Sequence, residues 1–379
     1  MASFRKLKTG WKATVSKRDT MGKLKQTSKT GFRTQALAKM WARKMEQKVA
    51  EGLNIGCDVI FADYFDSWFE TYKKPKLSYA TASRYKNISN VLHKNFGKRK
   101  ITTITHIEYQ RFINLHGHNH AKDSVYKLHR IVKACVENAV YDGLLTKNFA
   151  NHITVTFNAG RSVKVEYLSL DNIKQLISFA ANKRDIHYTS YYMILTAIYT
   201  GMRLSEIQAL TWKDISPIWK TITVNKSWDS RTSSFKPTKN KSSNRTIRVN
   251  RQMIDWLMEL KANHSKMVFT GQYDSVPTSE AVNKLLKGLL SDLGINKLNF
   301  HFHSLRHSHV AYMLAQGVDI YAISKRRGHA DLSTTTKIYA YLLDEFKAKQ
   351  DDEFENKLNL LSGCCTKQEK DNSKTTKII

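Results

Sequence analysis

The sequence has no stretch of about 18 apolar residues, the minimum for a bilayer-crossing helix. Its first residues, Met1-Ala2-Ser3-Phe4-Arg5-Lys6, lack the apolar centre of a secretory signal. A cytoplasmic protein with no membrane partner is the expectation. Cysteine is scarce: four in 379 residues do not make a disulfide framework, and Cys364 and Cys365 are too close in sequence for an ordinary bridge. No Cys or His spacing resembles a zinc site, and the histidine cluster from 301 to 309 has no carboxylate or thiolate beside it, so no metal is expected. Acidic residues are the other shortage. Asp and Glu number 32 against 62 Lys and Arg, a formal net charge of +30 that favours a polyanionic partner, nucleic acid first.

At this length two or three domains are expected. Residues 1–50 carry fourteen Lys or Arg against two acidic residues. Stretches 10–16 and 23–28, with Lys12, Lys23 and Lys25, alternate like strands about a turn at 19–22. Thr34 then caps a helix in which Leu37, Trp41, Met45 and Val49 form an apolar stripe. Three short strands and a helix make a sheet whose open face suits a DNA groove; the plain alternative is a solvated basic tail.

Residues 51–59, with Gly52 and Gly56, read as a linker. Residues 61–153 read as helical: an apolar face of Phe61, Tyr64, Phe65, Trp68 and Phe69, then helices near 79–93, 107–116 and 124–141. Ser83, Arg84 and Lys86 give the second of these hydroxyls and bases for phosphate contacts, although a plain four-helix bundle accounts for them nearly as well. After a second linker at 158–165, helices are predicted at 169–181, capped by Ser169 or Asp171, at 188–199, ending at Gly201, and at 203–210. Strands follow at 221–224, 234–237 and 245–249, the last two joined by the polar turn 239–244, then helices at 253–262, 279–290, 303–316 and 320–325. A last helix fits 342–361, before a disordered polar tail. The fold class is therefore α+β, mainly α: a small sheet-plus-helix domain, a helical bundle, and a mixed, mostly helical domain with a β-hairpin or three-stranded sheet.

The chemistry concentrates in three short patterns. They are Thr200-Gly201-Met202-Arg203-Leu204-Ser205-Glu206, His303-Ser304-Leu305-Arg306-His307, and Gly328-His329 followed by Thr334-Thr335 and Tyr339. A phosphodiester under attack gathers negative charge on its non-bridging oxygens, which two fixed guanidiniums stabilise. A tyrosine hydroxyl, with a pKa near 10, needs a base such as histidine or a strongly electropositive site to attack at neutral pH. A lysine near the phosphate can protonate the leaving 5′-oxygen. Alone, His329 would be a loop residue and Arg203 beside Glu206 a surface ion pair of small worth; their joint order overrides those readings.

The three patterns, in this order, resemble the signature boxes of the tyrosine recombinase (phage integrase) family, and the resemblance spans essentially the whole chain. It implies an arm-type DNA-binding domain at 1–52, as in lambda-like and conjugative-transposon integrases, a core-binding helical domain at 59–155, a catalytic domain at 165–362 and a tail at 363–379. It also implies that Tyr339 is the nucleophile forming a 3′-phosphotyrosyl link and that Arg203 and Arg306 clamp the phosphate. His303 would accept the tyrosine proton, His329 would donate a hydrogen bond to the phosphate, and Glu206 would orient the first arginine. The family's catalytic lysine lies on a β-hairpin, which resembles 237–247 here; Lys239 is chosen, with Lys241 the alternative.

Two departures stand out. Tyr341 occupies the position where the family often has a histidine, which makes it the alternative nucleophile, and Arg326-Arg327 precedes Gly328 where an apolar residue is usual. The implied activity is site-specific integration of a prophage or other mobile element, without metal, nucleotide or other cofactor. Implied partners are double-stranded DNA at core and arm-type sites and a homotetramer on that DNA, with an excisionase and a host DNA-bending protein as further candidates. The helix from Leu342 would be exchanged between protomers, or fold back on its own domain. The other readings are a type IB topoisomerase and an inactive DNA-binding regulator.

Overall fold

The computed structural model describes residues 2–18, 24–50, 59–162, 166–271 and 274–328, with Thr336 and Leu358. The chain divides into two compact units, Met1–Val163 and Lys164–Ile379. As the sequence predicts, helices dominate and the sheets are small and antiparallel.

In the first unit, β1 (Ala2–Leu7), β2 (Gly10–Arg18) and β3 (Leu24–Phe32) form a meander. Period-two alternation sends Ala13 and Val15 to one face, where α1 (Gln35–Ala50) covers them. Thr34 Oγ1 accepts from Leu37 N at 3.3 Å, as the predicted cap requires. The predicted stripe is corrected at its first residue. Leu37 is 46% exposed; Trp41, Met45 and Val49 pack against the core as predicted, beside the buried Ala38 and Ala42. A four-residue step advances the helix by about 400°, so a strict i, i+4 series drifts off one face by about 40° per step.

The rest of this unit is a helical bundle. It comprises α2 (Phe61–Trp68), a π-turn at Phe69–Lys73, α3 (Tyr79–Phe96), α4 (His106–His118) and α5 (Lys122–Tyr141). Phe61, Phe65, Trp68, Leu92, Tyr109 and Val132 fill its core. The buried Trp68 indole is satisfied by Asn138 Oδ1 at 2.8 Å.

The second unit is built around an almost wholly apolar helix, α7. Its elements in order are α6 (Leu170–Asn182), α7 (Ser190–Thr200), α8 (Leu204–Gln208), β4 (Ile215–Ser216), β5 (Thr221–Val224), β6 (Lys226–Asp229), β7 (Ser234–Pro237), β8 (Arg245–Arg248), α9 (Arg251–Glu259), α10 (Ser279–Asp292), α11 (Phe302–Ala315) and α12 (Ile320–Arg327). Ser169 Oγ, one of the two predicted caps, accepts from Asn172 N at 3.2 Å at the start of α6. Residues 192–198 of α7 are all buried, and α6, α8, α9, α10 and α11 pack against it, the pattern of a central helix. The predicted strand 234–237 forms, but not in the predicted company. β7 pairs with β6 as a separate hairpin, whereas the three-stranded sheet is β4-β5-β8.

Candidate active site

The C-terminus of α7 sets the site. Gly201 ends the helix in the left-handed region (φ 64°), and a Cβ there would lie 2.7 Å from the buried His309 ring, so both conformation and space select glycine. The chain then extends through Arg203 and re-enters a helix at Leu204. Glu206 closes this corner: its Oε2 accepts from Arg203 N at 3.0 Å, and its Oε1 accepts from Arg203 Nη1 at 2.5 Å. This is no surface pair, since the Glu206 side chain is 2% exposed. Burial alone would raise the Glu206 pKa, but the guanidiniums of Arg245 and Arg203 outweigh it and hold the carboxyl below its ordinary range.

Helix α11 supplies the second arginine. Arg306 is 1% exposed; Nη1 donates to the Gly201 carbonyl and Nη2 to the Arg327 carbonyl at 2.6 Å. The two predicted arginines are thus tied to one corner, Arg306 by binding its carbonyl and Arg203 by extending from it. Arg306 Nε has no hydrogen-bond partner among the described residues. Burial, then Arg327 and Arg203, press the Arg306 pKa downward. A guanidinium does not deprotonate in a protein, so such crowding is relieved by an anion instead.

His303 lies one turn before Arg306. Its outer edge is exposed, yet burial of the ring and the charges of Arg306, Arg327, His301 and Arg203 lower its pKa to about 4. It is therefore neutral at pH 7 and able to accept a proton. The residues before Gly328 also join the site. Arg327 is wholly buried with its charge felt by Arg306, His303 and His307, while Arg326 braces the Arg248 and Tyr199 carbonyls at 2.9 and 3.0 Å.

Lys239 is exposed in the turn between β7 and β8, and the base of that turn enters the site. Ser243 is fully buried; its hydroxyl accepts from Arg203 Nη1 at 3.4 Å. Gly328 (φ 70°) passes so close that a Cβ would lie 2.9 Å from Ser243 Cα. His329, Tyr339 and Tyr341 lie outside the described residues, as do the side chain of Lys241, the predicted helix from Leu342 (Leu358 aside) and the tail. Arg245, to which the sequence reading assigned no role, contacts three pieces of the site.

The predicted DNA-contacting residues divide by position. In the N-terminal sheet, Lys12 shares the open face with Arg5, its cross-strand partner, and with Thr14 and Ser28. Lys25 does not. It pairs opposite Lys17, whose Nζ donates to the Val49 carbonyl of α1, so parity places Lys25 on the helix-bearing face. Lys23 lies outside the described residues. Ser83, Arg84 and Lys86 are exposed on α3. Ser83 and Lys86 line a groove of about 590 Å³ whose carboxylates, Asp66 and Glu70, are engaged by His93 at 2.8 Å and Lys74 at 2.6 Å; Arg84 does not line it.

Three histidines of α11 give an acid-lability prediction. Burial, then Arg326, holds His309 down to about 3. An unfolded histidine protonates near pH 6.5. Between those values only the unfolded chain binds the proton, so stability is complete above about pH 6.5 and is lost as pH falls. His303, held to about 4, and His307, held to about 3, act in the same direction. The urea midpoint of the second unit should be nearly level from pH 7 to 8 and fall below 6.5. For the wholly buried His309 the slope approaches about 1.4 kcal/mol per pH unit. A midpoint still level at pH 4.5 would contradict this.

Two guanidiniums fixed on one corner, a neutral histidine beside them and a lysine-bearing turn anchored at its base make an arrangement chemically suited to phosphodiester transfer. The family comparisons agree with it. The phage integrase family model matches residues 166–345, the phage integrase N-terminal SAM-like domain residues 60–115, and the arm DNA-binding domain residues 3–49. The chain belongs to the phage integrase family of tyrosine recombinases, enzymes that transfer DNA strands. It is similar to the integrase of Staphylococcus phage L54a, 26% identical over 359 residues that cover 84% of this chain and 99% of the relative. It shares its fold with the Tn1549 transposon integrase solved with transposon right end DNA: TM-score 0.64, 16% identity, 78% of this chain and 99% of that one. The same holds for a lambda integrase tetramer bound to a Holliday junction: TM-score 0.55, 15% identity, 86% and 95%.

Proposed function

We propose that this chain integrates a mobile element at specific sites by cutting and rejoining DNA through Tyr339. The observation that carries the reading is the shared corner: Arg306 binds the Gly201 carbonyl, and Arg203 follows two residues later. Both guanidiniums are thereby fixed before substrate arrives, which is how charge developing on a phosphate is stabilised without reorganisation.

Neutral His303 takes the Tyr339 proton as the phenolate oxygen attacks phosphorus. His329 donates a hydrogen bond to the phosphate, and Lys239, or Lys241, protonates the departing 5′-oxygen. The product is a 3′-phosphotyrosyl ester and a free 5′-hydroxyl. Because this ester conserves the energy of the broken bond, rejoining is the same step reversed with another strand's hydroxyl and needs no cofactor.

Four such exchanges require four active sites, so the working species is a homotetramer on two core sites, passing through a Holliday junction. An excisionase and a host bending protein would set direction. Such an enzyme acts on chromosomal DNA in the cytoplasm of its bacterial host. The domains divide the labour: 1–52 on arm-type DNA, 59–155 on core DNA with Ser83, Arg84 and Lys86, and 165–362 in chemistry.

A nicked core duplex that loses the short fragment bearing the new 5′-hydroxyl after cleavage traps the protein covalently at a DNA 3′ end. No adduct on the element's own core site would sink this reading, and relaxation of a plasmid lacking any such site would favour a topoisomerase. The open face bearing Arg5 and Lys12 carries a separate prediction. Removing residues 1–50 should abolish footprints at one class of site while core cleavage persists; loss of both, or of neither, would count against an arm-type domain.

A further inference from the structure

Arg245, the first residue of β8, has no role in the mechanism above. Its side chain is 6% exposed, and each of its three nitrogens donates to a different part of the site. Nη2 binds Glu206 Oε2 at 2.9 Å, Nη1 the Ser243 carbonyl at 2.8 Å, and Nε the Arg326 carbonyl at 2.7 Å. The acceptors belong to α8, to the lysine turn and to the last turn of α12. A buried guanidinium is costly unless its donors are met, and here they are met by the pieces that must be aligned.

The turn is the piece most in need of alignment. Its sequence, Lys239-Asn240-Lys241-Ser242-Ser243-Asn244, contains no apolar anchor. Its base is held instead by Arg245 on the Ser243 carbonyl, Arg203 on the Ser243 hydroxyl and the close approach of Gly328. The Thr238 hydroxyl lies 2.7 Å from Asn244 Oδ1, bracing the two ends across the turn. Lys239 stands between these braces.

We propose that Arg245 is a positioning residue that locks the 238–244 turn to the Arg203–Glu206 pair and so places the lysine that protonates the leaving 5′-oxygen. This rests on the lysine role proposed above. In the step concerned, Tyr339 Oη bonds to phosphorus while the P–O5′ bond breaks; the phenol proton goes to His303, and the 5′-oxygen takes a proton from the lysine ammonium. A 5′-bridging sulfur changes that requirement. A thiol ionises near pH 8.5, far below an alcohol, so a thiolate departs without the lysine's proton. A defect confined to the lysine's placement is then relieved, whereas a defect in phosphate binding is not.

The test is single-turnover cleavage by the full-length chain of nicked core duplexes from its own element, with 5′-oxygen or 5′-sulfur at the scissile bond. Arg245→Gln should slow the oxygen duplex by about 10²-fold, the typical effect of misplacing a catalytic group by about 1 Å, and the sulfur duplex by only a few-fold. Arg245→Lys, which keeps the charge toward Glu206 but cannot reach three acceptors, should fall between wild type and Arg245→Gln on oxygen, again with relief by sulfur. Equal losses on both duplexes, in either variant, or no loss on oxygen would overturn the proposal. Lys239→Ala and Lys241→Ala run alongside. If neither is relieved by sulfur while wild type cleaves both duplexes, the lysine assignment has failed; if Lys239→Ala is relieved and Arg245→Lys is not, the positioning role has failed on its own.

Discussion

Tyr339→Phe should abolish the covalent adduct on a nicked core duplex, and Tyr341→Phe should still form it. The phenylalanine ring keeps the size of tyrosine and removes the attacking oxygen, so core DNA should bind as before while cleavage falls by at least about 10⁴-fold, as for other knocked-out nucleophiles. The cationic cluster suits a phenol nucleophile brought to it: Arg203, Arg306 and Arg327 would lower the cost of a phenolate there, and His303, held to about 4, is unprotonated at pH 7. They do not choose between two phenols. The measure is the detergent-stable protein–DNA band. If it disappears with Tyr341→Phe and survives Tyr339→Phe, the nucleophile is the second tyrosine and the family's usual spacing does not hold here.

The parts of the site that were legible in the sequence are those whose signal is local. Gly201 after an apolar run marks a helix end, Thr34 and Ser169 mark helix starts, and Glu206 three residues after Arg203 is within reach of it. What escaped depends on distant partners. Nothing near Arg245 says that it is buried, because two of its three acceptors stand 39 and 81 positions away. Alternation identified residues 234–237 as a strand, but a period of two carries no information about which strand pairs with it, and the partner proved to be Lys226–Asp229. Lys25 has the charge of a DNA contact, but its face is set by its pairing with Lys17 across the hairpin, which alternation within one strand does not reveal.

Arg306→Met separates the structural duty of this arginine from its chemical one. Chemically the loss should be severe. Deleting one preorganised donor to developing charge typically costs about 10² to 10³ in rate, and Arg306 is more than one donor, so cleavage should fall by at least about 10³-fold. Arg306→Lys should recover little of it, because an ammonium on a flexible stem cannot bind the Gly201 and Arg327 carbonyls and a phosphate together. Structurally the terms oppose each other. Losing the arginine removes a donor from each of two buried carbonyls, at about 1–3 kcal/mol each, but it also removes a buried cation crowded by Arg327 and Arg203, an effect of several kcal/mol in the other direction. Thermal stability should therefore change far less than activity. The same balance makes the wild-type fold responsive to anions. Inorganic phosphate binding the folded site alone raises stability with the logarithm of its excess over Kd, so the melting temperature of the wild type should climb with phosphate more steeply than with chloride at equal ionic strength. That difference should vanish in Arg306→Met. A variant that cleaves within tenfold of wild type, or that keeps the phosphate-specific shift, would show that the anion is held elsewhere in the cationic cluster.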